Sequence, residues 1–162
     1  LFNFKLINSD LFQAVSKQAL QSHRKRANYN FHELSEVYQR FLNVLTIGTY
    51  VQPHRHLSPA KPETFIALQG DLGFLLFDDQ GKISDSFLLS SKGPNFGIDI
   101  QPGVWHSIVC LTDTCICFEG KSGPYNPDTD KEFANFSYPE GSEDSILELK
   151  KWESIFKQKS KY

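Results

Sequence analysis

Residues 48–70 read GTYVQPHRHLSPAKPETFIALQG, and the pair His54 and His56, followed by Glu63 and Gly70, decides how the chain is to be understood. In a β-strand alternate side chains leave the same face, so His-x-His sets two imidazoles side by side. A third imidazole, His106, follows in PGVWHS at 102–107. There Pro102 and Gly103 turn the chain, while Val104, Trp105, Ile108 and Val109 favour a strand. Two strands can thus aim three imidazoles and one carboxylate at a common point. Neutral imidazole and carboxylate suit a divalent transition metal and leave positions open for water or substrate. Taken singly, each His reads as ordinary polar packing. Taken together, three of the five histidines fall in two strand-like segments bracketed by glycines, and that points to a metal site.

These residues also carry a family resemblance. Gly48, five residues, His54-x-His56, then Glu63, six residues and Gly70 is similar to the first cupin motif, and Gly103-x-x-His106 resembles the core of the second. RANYNFH at 26–32, PHRH at 53–56, KPETF at 61–65, FEGKSGPY at 118–125 and FANFSYPEG at 133–141 resemble the WbuC family of cupin-fold metalloproteins, over roughly residues 20–141. The resemblance implies a jelly-roll β-barrel, a metal held by His54, His56, Glu63 and His106, and a setting among genes for surface-polysaccharide assembly. It implies no particular reaction. It also makes Asn30 and His32 candidates for the pocket, although by themselves they read as a turn entering the fold.

Two departures from the cupin pattern bear on the ligands. Six residues, Leu57 to Pro62, separate His56 from Glu63, more than the general motif allows. Such a loop can bulge outward and return Glu63 to the same spot, or leave three imidazoles alone with Glu63 tied to Lys61 behind them. Cys110 stands where many cupins place an Asn, and reads as a buried packing residue.

The chain is long enough for one core and short for two, so one domain is expected: a helical segment over 1–36, a barrel over 37–125, and a loop-and-helix extension over 126–162. Ser9 or Asp10 can cap a helix running to about Leu20, with Leu11, Val15 and Ala19 at helical spacing. Strand signals dominate from Val37 to Glu119, and the reversal FDDQGK at 77–82 marks a hairpin. Seven or eight short strands of this kind suggest an antiparallel sandwich or barrel, making the fold mostly β. Near the C-terminus, acids precede lysines from Ser142 onward, and Ile146, Leu149, Trp152 and Phe156 share one helical face.

A net charge of −2 gives no global reason for nucleic-acid or membrane binding. Only His23, Arg24, Lys25 and Arg26 form a basic run, which reads as a solvated helix end or a phosphate contact. Three cysteines at spacings that fit no zinc ribbon or disulfide framework indicate a reducing compartment. With no apolar span and no leader-like start, cytoplasm is the default.

Strand parity nominates the remaining residues. Tyr50 accompanies the His pair, Phe65 and Lys61 accompany Glu63, and Glu119 shares a face with Cys115 and Cys117 just before Lys121 and Tyr125. Tyr50, Lys61 and Glu119 are the candidate proton-handling groups; Phe65, Lys121 and Tyr125 are candidate pocket residues. The expected function is a metal-binding cupin acting on a small polar ligand, such as a sugar or sugar nucleotide. An isomerase or epimerase, an iron-dependent dioxygenase and a non-catalytic binding or sensing protein all remain open. Zinc and iron lead the candidate metals, with nickel and manganese behind. Cupin barrels commonly pair, so a homodimer is expected.

Overall fold

A computed structural model gives the structure of the chain over residues 4–159. It opens with a helix, α1 (Ser9–Gln21), whose cap is Asn8 rather than Ser9 or Asp10: the Asn8 side chain accepts from the Leu11 N–H at 3.1 Å. Ten strands follow: β1 (Arg26–Asn30), β2 (Tyr38–Thr46), β3 (His54–Arg55), β4 (Glu63–Gln69), β5 (Asp71–Phe77), β6 (Ile83–Ser90), β7 (Gly97–Ile100), β8 (Trp105–Cys110), β9 (Thr114–Ser122) and β10 (Glu132–Phe133). A second helix, α2 (Glu143–Lys159), ends the described chain. The strands form two five-stranded antiparallel sheets, ordered β1-β2-β9-β4-β7 and β10-β3-β8-β5-β6. The fold is mostly β, as the spacing of strand and turn signals leads one to expect.

Alternation decides what each face does. On the first sheet, outward-facing Leu42, Val44 and Ile116 pack under Val15 and Ala19 of α1. On the second, outward-facing Leu75, Phe77, Trp105 and Val109 pack under Leu149, Trp152 and Phe156 of α2. The helical face expected at the C-terminus is shifted by one residue at its start: Ile146 is exposed and Ser145 is buried in its place. Positions 145, 149, 152 and 156 follow the helical period more closely than a face begun at 146. Between the sheets lie Leu45, Phe65, Leu72, Phe74, Ile108 and all three cysteines, each a free and buried thiol. Each sheet is thus apolar where it meets a helix and, over part of its inner face, where it meets its partner sheet.

Two strands lie in segments read above as flanking the barrel. β1 carries no apolar run, because only Ala27 and Tyr29 face α1 while Arg26, Asn28 and Asn30 face inward. β10 is two residues long and pairs with β3, matching Glu132 with Arg55 and Phe133 with His54. A segment this short leaves no periodicity to read.

The hairpin at Asp78 forms as its sequence suggests. The Asp78 carboxylate accepts from the Gln80 and Lys82 N–H groups at 3.0 and 2.8 Å, and Gly81 takes the left-handed φ of 81°. Gly70 joins β4 to β5 at φ 69°, where a Cβ would come 2.6 Å from the Thr114 carbonyl oxygen. No helix among the described residues is long and apolar enough to cross a membrane.

Trp152 anchors α2 by stacking on Tyr50, with centroids 5.3 Å apart and planes at 16°, and by contact with Phe77. Trp152→Ala should cost about 3–5 kcal/mol, read as a lower urea midpoint with little change in slope.

Candidate metal centre

The two sheets contribute opposite halves of the site. β3 and β8 pair with His54 directly across from His106, and His56 follows at the end of β3. The expected alternation holds: Arg55 points the other way, onto Trp105 at 4.1 Å and into an ion pair with Glu132 at 2.8 Å. Glu63 comes from the first sheet, at the start of β4. The loop 57–62 folds back on itself, with Leu57 bridged to Ala60 and the Lys61 N–H donating to the His56 carbonyl at 3.4 Å. It therefore returns Glu63 to the imidazoles. Glu63 Oε1 lies 3.0 Å from His56 Nε2, and Oε2 lies 3.1 Å from His106 Nε2. One ring nitrogen from each of His54, His56 and His106 lies within 4.8 Å of the others.

The other ring nitrogens fix the tautomers. Nδ1 of His54 donates to the Gln52 carbonyl at 2.9 Å, that of His106 to the Val104 carbonyl at 3.0 Å, and that of His56 to the Asp130 carbonyl. A neutral imidazole with its proton on Nδ1 presents a bare lone pair at Nε2. Burial, then Lys131 and His106, push the His54 imidazole well below its ordinary pKa, so it stays neutral. His56 Nε2, His106 Nε2 and Glu63 Oε1 are buried with no hydrogen-bond partner. Lone pairs facing a carboxylate at 3 Å repel unless a cation lies between them. Donor atoms on one ion at right angles, with bonds of about 2.1 Å, sit about 3 Å apart. This set therefore fits a divalent metal held by the three Nε2 atoms and Glu63. Burial alone would raise the Glu63 carboxyl; protons on His106 and His56 Nε2 would outweigh it and hold the carboxyl well below the usual carboxylate range, and with those protons on Nδ1 a cation would take over that role.

Behind the imidazoles lies a buried chain of charges. Asp130 accepts from Lys61 Nζ and Lys121 Nζ, both at 2.9 Å, and Lys121 Nζ lies 4.0 Å from both Glu63 and Glu119. The backbone of Asp130 orients His56 while its side chain neutralises two lysines. Burial lowers Lys121, but Glu119, Glu63 and Asp130 reverse this and leave its pKa raised. Glu119 is pushed up to about 7, by burial first and Glu63 second, against the pull of Lys121 and Lys131 and a hydrogen bond from Asn43 Nδ2 at 3.1 Å.

A cavity of about 520 Å³ opens on this centre. Of the residues nominated from sequence, His54, His106, Phe65, Glu119, Lys121, Tyr125, Asn30 and His32 line it. Two nominated proton-handling groups do not. The Tyr50 hydroxyl donates to the Tyr138 carbonyl at 3.2 Å beneath α2, because Pro53 interrupts the alternation on which its inward placement depended. Burial raises its phenol to about 12. Lys61 is buried against Asp130 and donates to the Pro124 carbonyl at 3.1 Å, so it is not presented to a ligand. Sequence reasoning overlooked Asp130, Asn28, Gln39, Asn43 and Lys131. A lone amide in the apolar run RFLNVLT was a legible sign for Asn43; Asp130, in an irregular loop, had none.

A family model described as a domain of unknown function, DUF6016, matches residues 7–89. The chain belongs to the DUF6016 family. The matched span includes His54, His56 and Glu63 of this DUF6016 chain and ends before His106. No curated protein matches it in sequence. Among solved structures it is similar to the capsular polysaccharide assembling protein CapF from Staphylococcus aureus, with 20% identity and a TM-score of 0.59 over 69% of this chain. The match spans only 30% of CapF. An uncharacterized conserved protein with a double-stranded β-helix domain from Klebsiella pneumoniae matches over 70% of this chain and 88% of its own, at 14% identity and TM-score 0.54. NovW, a 4-keto-6-deoxy sugar epimerase from Streptomyces spheroides, matches over 60% of this chain and 51% of its own, at 16% identity and TM-score 0.51. These likenesses show a single-domain cupin fold.

Asp130→Ala should destabilise the protein by about 3–5 kcal/mol, because it strands two buried ammonium groups; urea unfolding measures this. Glu119 carries the opposite sign. Its folded pKa of about 7 stands above the ordinary 4.5, so its ionisation opposes folding, and stability falls as pH rises from 4.5 to 7. In metal-free protein Glu119→Gln should raise the melting temperature at pH 8 by an amount worth at most roughly 3 kcal/mol, with the gain gone at pH 4.5.

Proposed function

We propose that this protein is a metal-dependent cupin, resembling the WbuC family, that acts on a carbohydrate-related ligand in surface-polysaccharide assembly. The observation that carries the metal half is the convergence of three proton-free Nε2 atoms and Glu63 on one point, with Nδ1 of each ring committed to a backbone carbonyl. Support for the ligand class comes from the cavity wall. Asn28, Asn30, Gln39 and Asn43 place amides where a barrel core would be apolar, and Asn43 Oδ1 is buried without a partner. Gln39 Nε2 is spent on the Leu34 and Glu36 carbonyls, and the other three amides are the ones that could recognise vicinal hydroxyls, while Phe41 and Phe65 supply flat apolar surface and exclude water. The resemblance to CapF and NovW lends weight to the sugar-related reading.

His54, His56, His106 and Glu63 would hold the metal, for which zinc and iron are the best candidates. A bound divalent ion supplies a Lewis acid at one end of the cavity. The chain's own residues supply the rest. Glu119, poised near neutrality on the wall, takes a proton on its carboxylate from a carbon or hydroxyl of the ligand. Lys121, charged and fixed on Asp130, holds the Glu119 carboxylate ionised before the transfer and stabilises the negative charge that the lost proton leaves on the ligand. With Tyr50 and Lys61 turned elsewhere, Glu119 is the one nominated proton-handling group that lines the cavity, which favours an isomerisation in which one group takes a proton and returns it on the same face; an epimerisation would need a second proton donor on the opposite face of the ligand.

Protein purified without a His-tag and without added metal should carry close to one transition-metal ion per chain by elemental analysis. The His54→Ala/His56→Ala double variant should carry none. No metal in either sample would overturn the reading. With metal present, Glu119→Gln should lower kcat on a sugar-nucleotide substrate by at least about 100-fold while metal content stays unchanged; equal rates would remove Glu119 from the chemistry, and no turnover by the wild type would make the barrel a binding protein.

A further inference from the structure

The metal centre occupies one end of the cavity, and its opposite rim carries two arginines that the proposed chemistry leaves unused. Arg24 and Arg26 both line the cavity. They converge on one carboxylate: Arg24 Nε and Nη2 donate to Glu140 at 3.0 Å each, and Arg26 Nη1 and Nη2 at 2.8 Å each. Two guanidinium forks around one carboxylate leave a surplus positive charge and a geometry that also suits the oxygens of a phosphate. Arg26 is held in place by its own donation to the Tyr50 carbonyl at 3.0 Å.

We propose that Arg24 and Arg26 form the subsite for the phosphate or diphosphate group of a sugar phosphate ester whose sugar end reaches the metal centre, and that Glu140 occupies this subsite when the ligand is absent. The inference rests on the carbohydrate reading given above and extends it. Strand register sets the span. Arg26 lies level with Leu45 and Cys115, and Glu63 lies level with Lys121, six residues further along β9. At the rise of a strand the two backbone levels lie about 20 Å apart, and the Arg26 side chain shortens the gap a ligand must cover, since its guanidinium lies 3.0 Å from the carbonyl of Tyr50 in the segment leading to His54. Between the two ends β1 presents Asn28 and Asn30, so the wall stays polar along the way. A ligand that engages both ends is therefore a sugar with an anionic extension.

With Glu140 in place, a free anion alone should bind weakly. The carboxylate is tethered, so it competes at a high effective concentration, and a ligand displaces it best when its other end is already anchored. Removing the competitor should expose the subsite to a simple probe. Inorganic pyrophosphate, titrated calorimetrically into protein stripped of metal, should bind Glu140→Gln at least ten times more tightly than wild type. Adding Arg24→Gln to Glu140→Gln should abolish that gain. Arg24 is 63% exposed at its side chain, so this substitution leaves the core intact, and a thermal melt of each variant verifies that it is folded. Equal pyrophosphate affinity in wild type and Glu140→Gln, or a gain that survives Arg24→Gln, would overturn the subsite. Because the titration contains no metal, its failure leaves the elemental analysis standing, and a metal-free result there leaves the pyrophosphate outcome readable.

Discussion

The structure turns on one confrontation: a buried carboxylate from one sheet faces two imidazole nitrogens from the other, and neither nitrogen carries a proton to give it. Glu63 lies 3.0 and 3.1 Å from them. Left alone, this arrangement opposes the packing of the two sheets, since lone pairs in a low-dielectric interior repel. Shared with a cation, the same atoms become a clamp between the sheets. Much of the surrounding architecture serves to keep those atoms where they are. The Gln52, Val104 and Asp130 carbonyls lock the rings, the folded loop 57–62 delivers the carboxylate, and Lys121 lies within 4.0 Å of it without competing for the imidazoles.

Around that clamp the space between the sheets is divided. One end is filled by Leu45, Leu72, Phe74 and the cysteines, and the other by amides, carboxylates and lysines. The division is written in strand parity. Along β9 the inward positions run Cys115, Cys117, Glu119, Lys121, passing from apolar to charged within four inward positions. Along β1 they are polar throughout. A barrel organised in this way keeps its stability in one half and its recognition in the other, with α1 and α2 closing the outer faces.

Much of this was legible in the sequence, for a physical reason. His-x-His, the glycine-bracketed turns and the alternating strands are local patterns, and local patterns are what a strand's period of two imposes on residues. The jelly-roll fold, the apolar burial of Cys110 and the helix carrying Leu149, Trp152 and Phe156 could be read in the same way. What escaped depends on contacts distant in sequence. Asp130 matters because its carbonyl meets His56, seventy-four positions earlier. Tyr50 faces α2 because a proline between it and the His pair breaks the parity count. β1 lies inside the segment expected to be helical, and escapes notice as a strand because its inward residues are polar and face the cavity instead of the core. Lys61 reads as a proton-handling group because nothing near it in sequence predicts that Asp130 holds it.

The short pairing of β10 with β3 has a consequence for how the site comes into being during synthesis. All four metal donors have left the ribosome once residue 106 has emerged, yet His56 has no acceptor for its Nδ1 proton until Asp130 follows. Until then both ring nitrogens of His56 are free to exchange the proton, and Lys61 and Lys121 have no counter-charge from Asp130. A metal that met the chain at that stage would find one ligand undecided. The site would be complete only once a segment that contributes no donor of its own had folded, so the ordering of a late loop, rather than the appearance of the ligands, would set when the chain could commit to an ion.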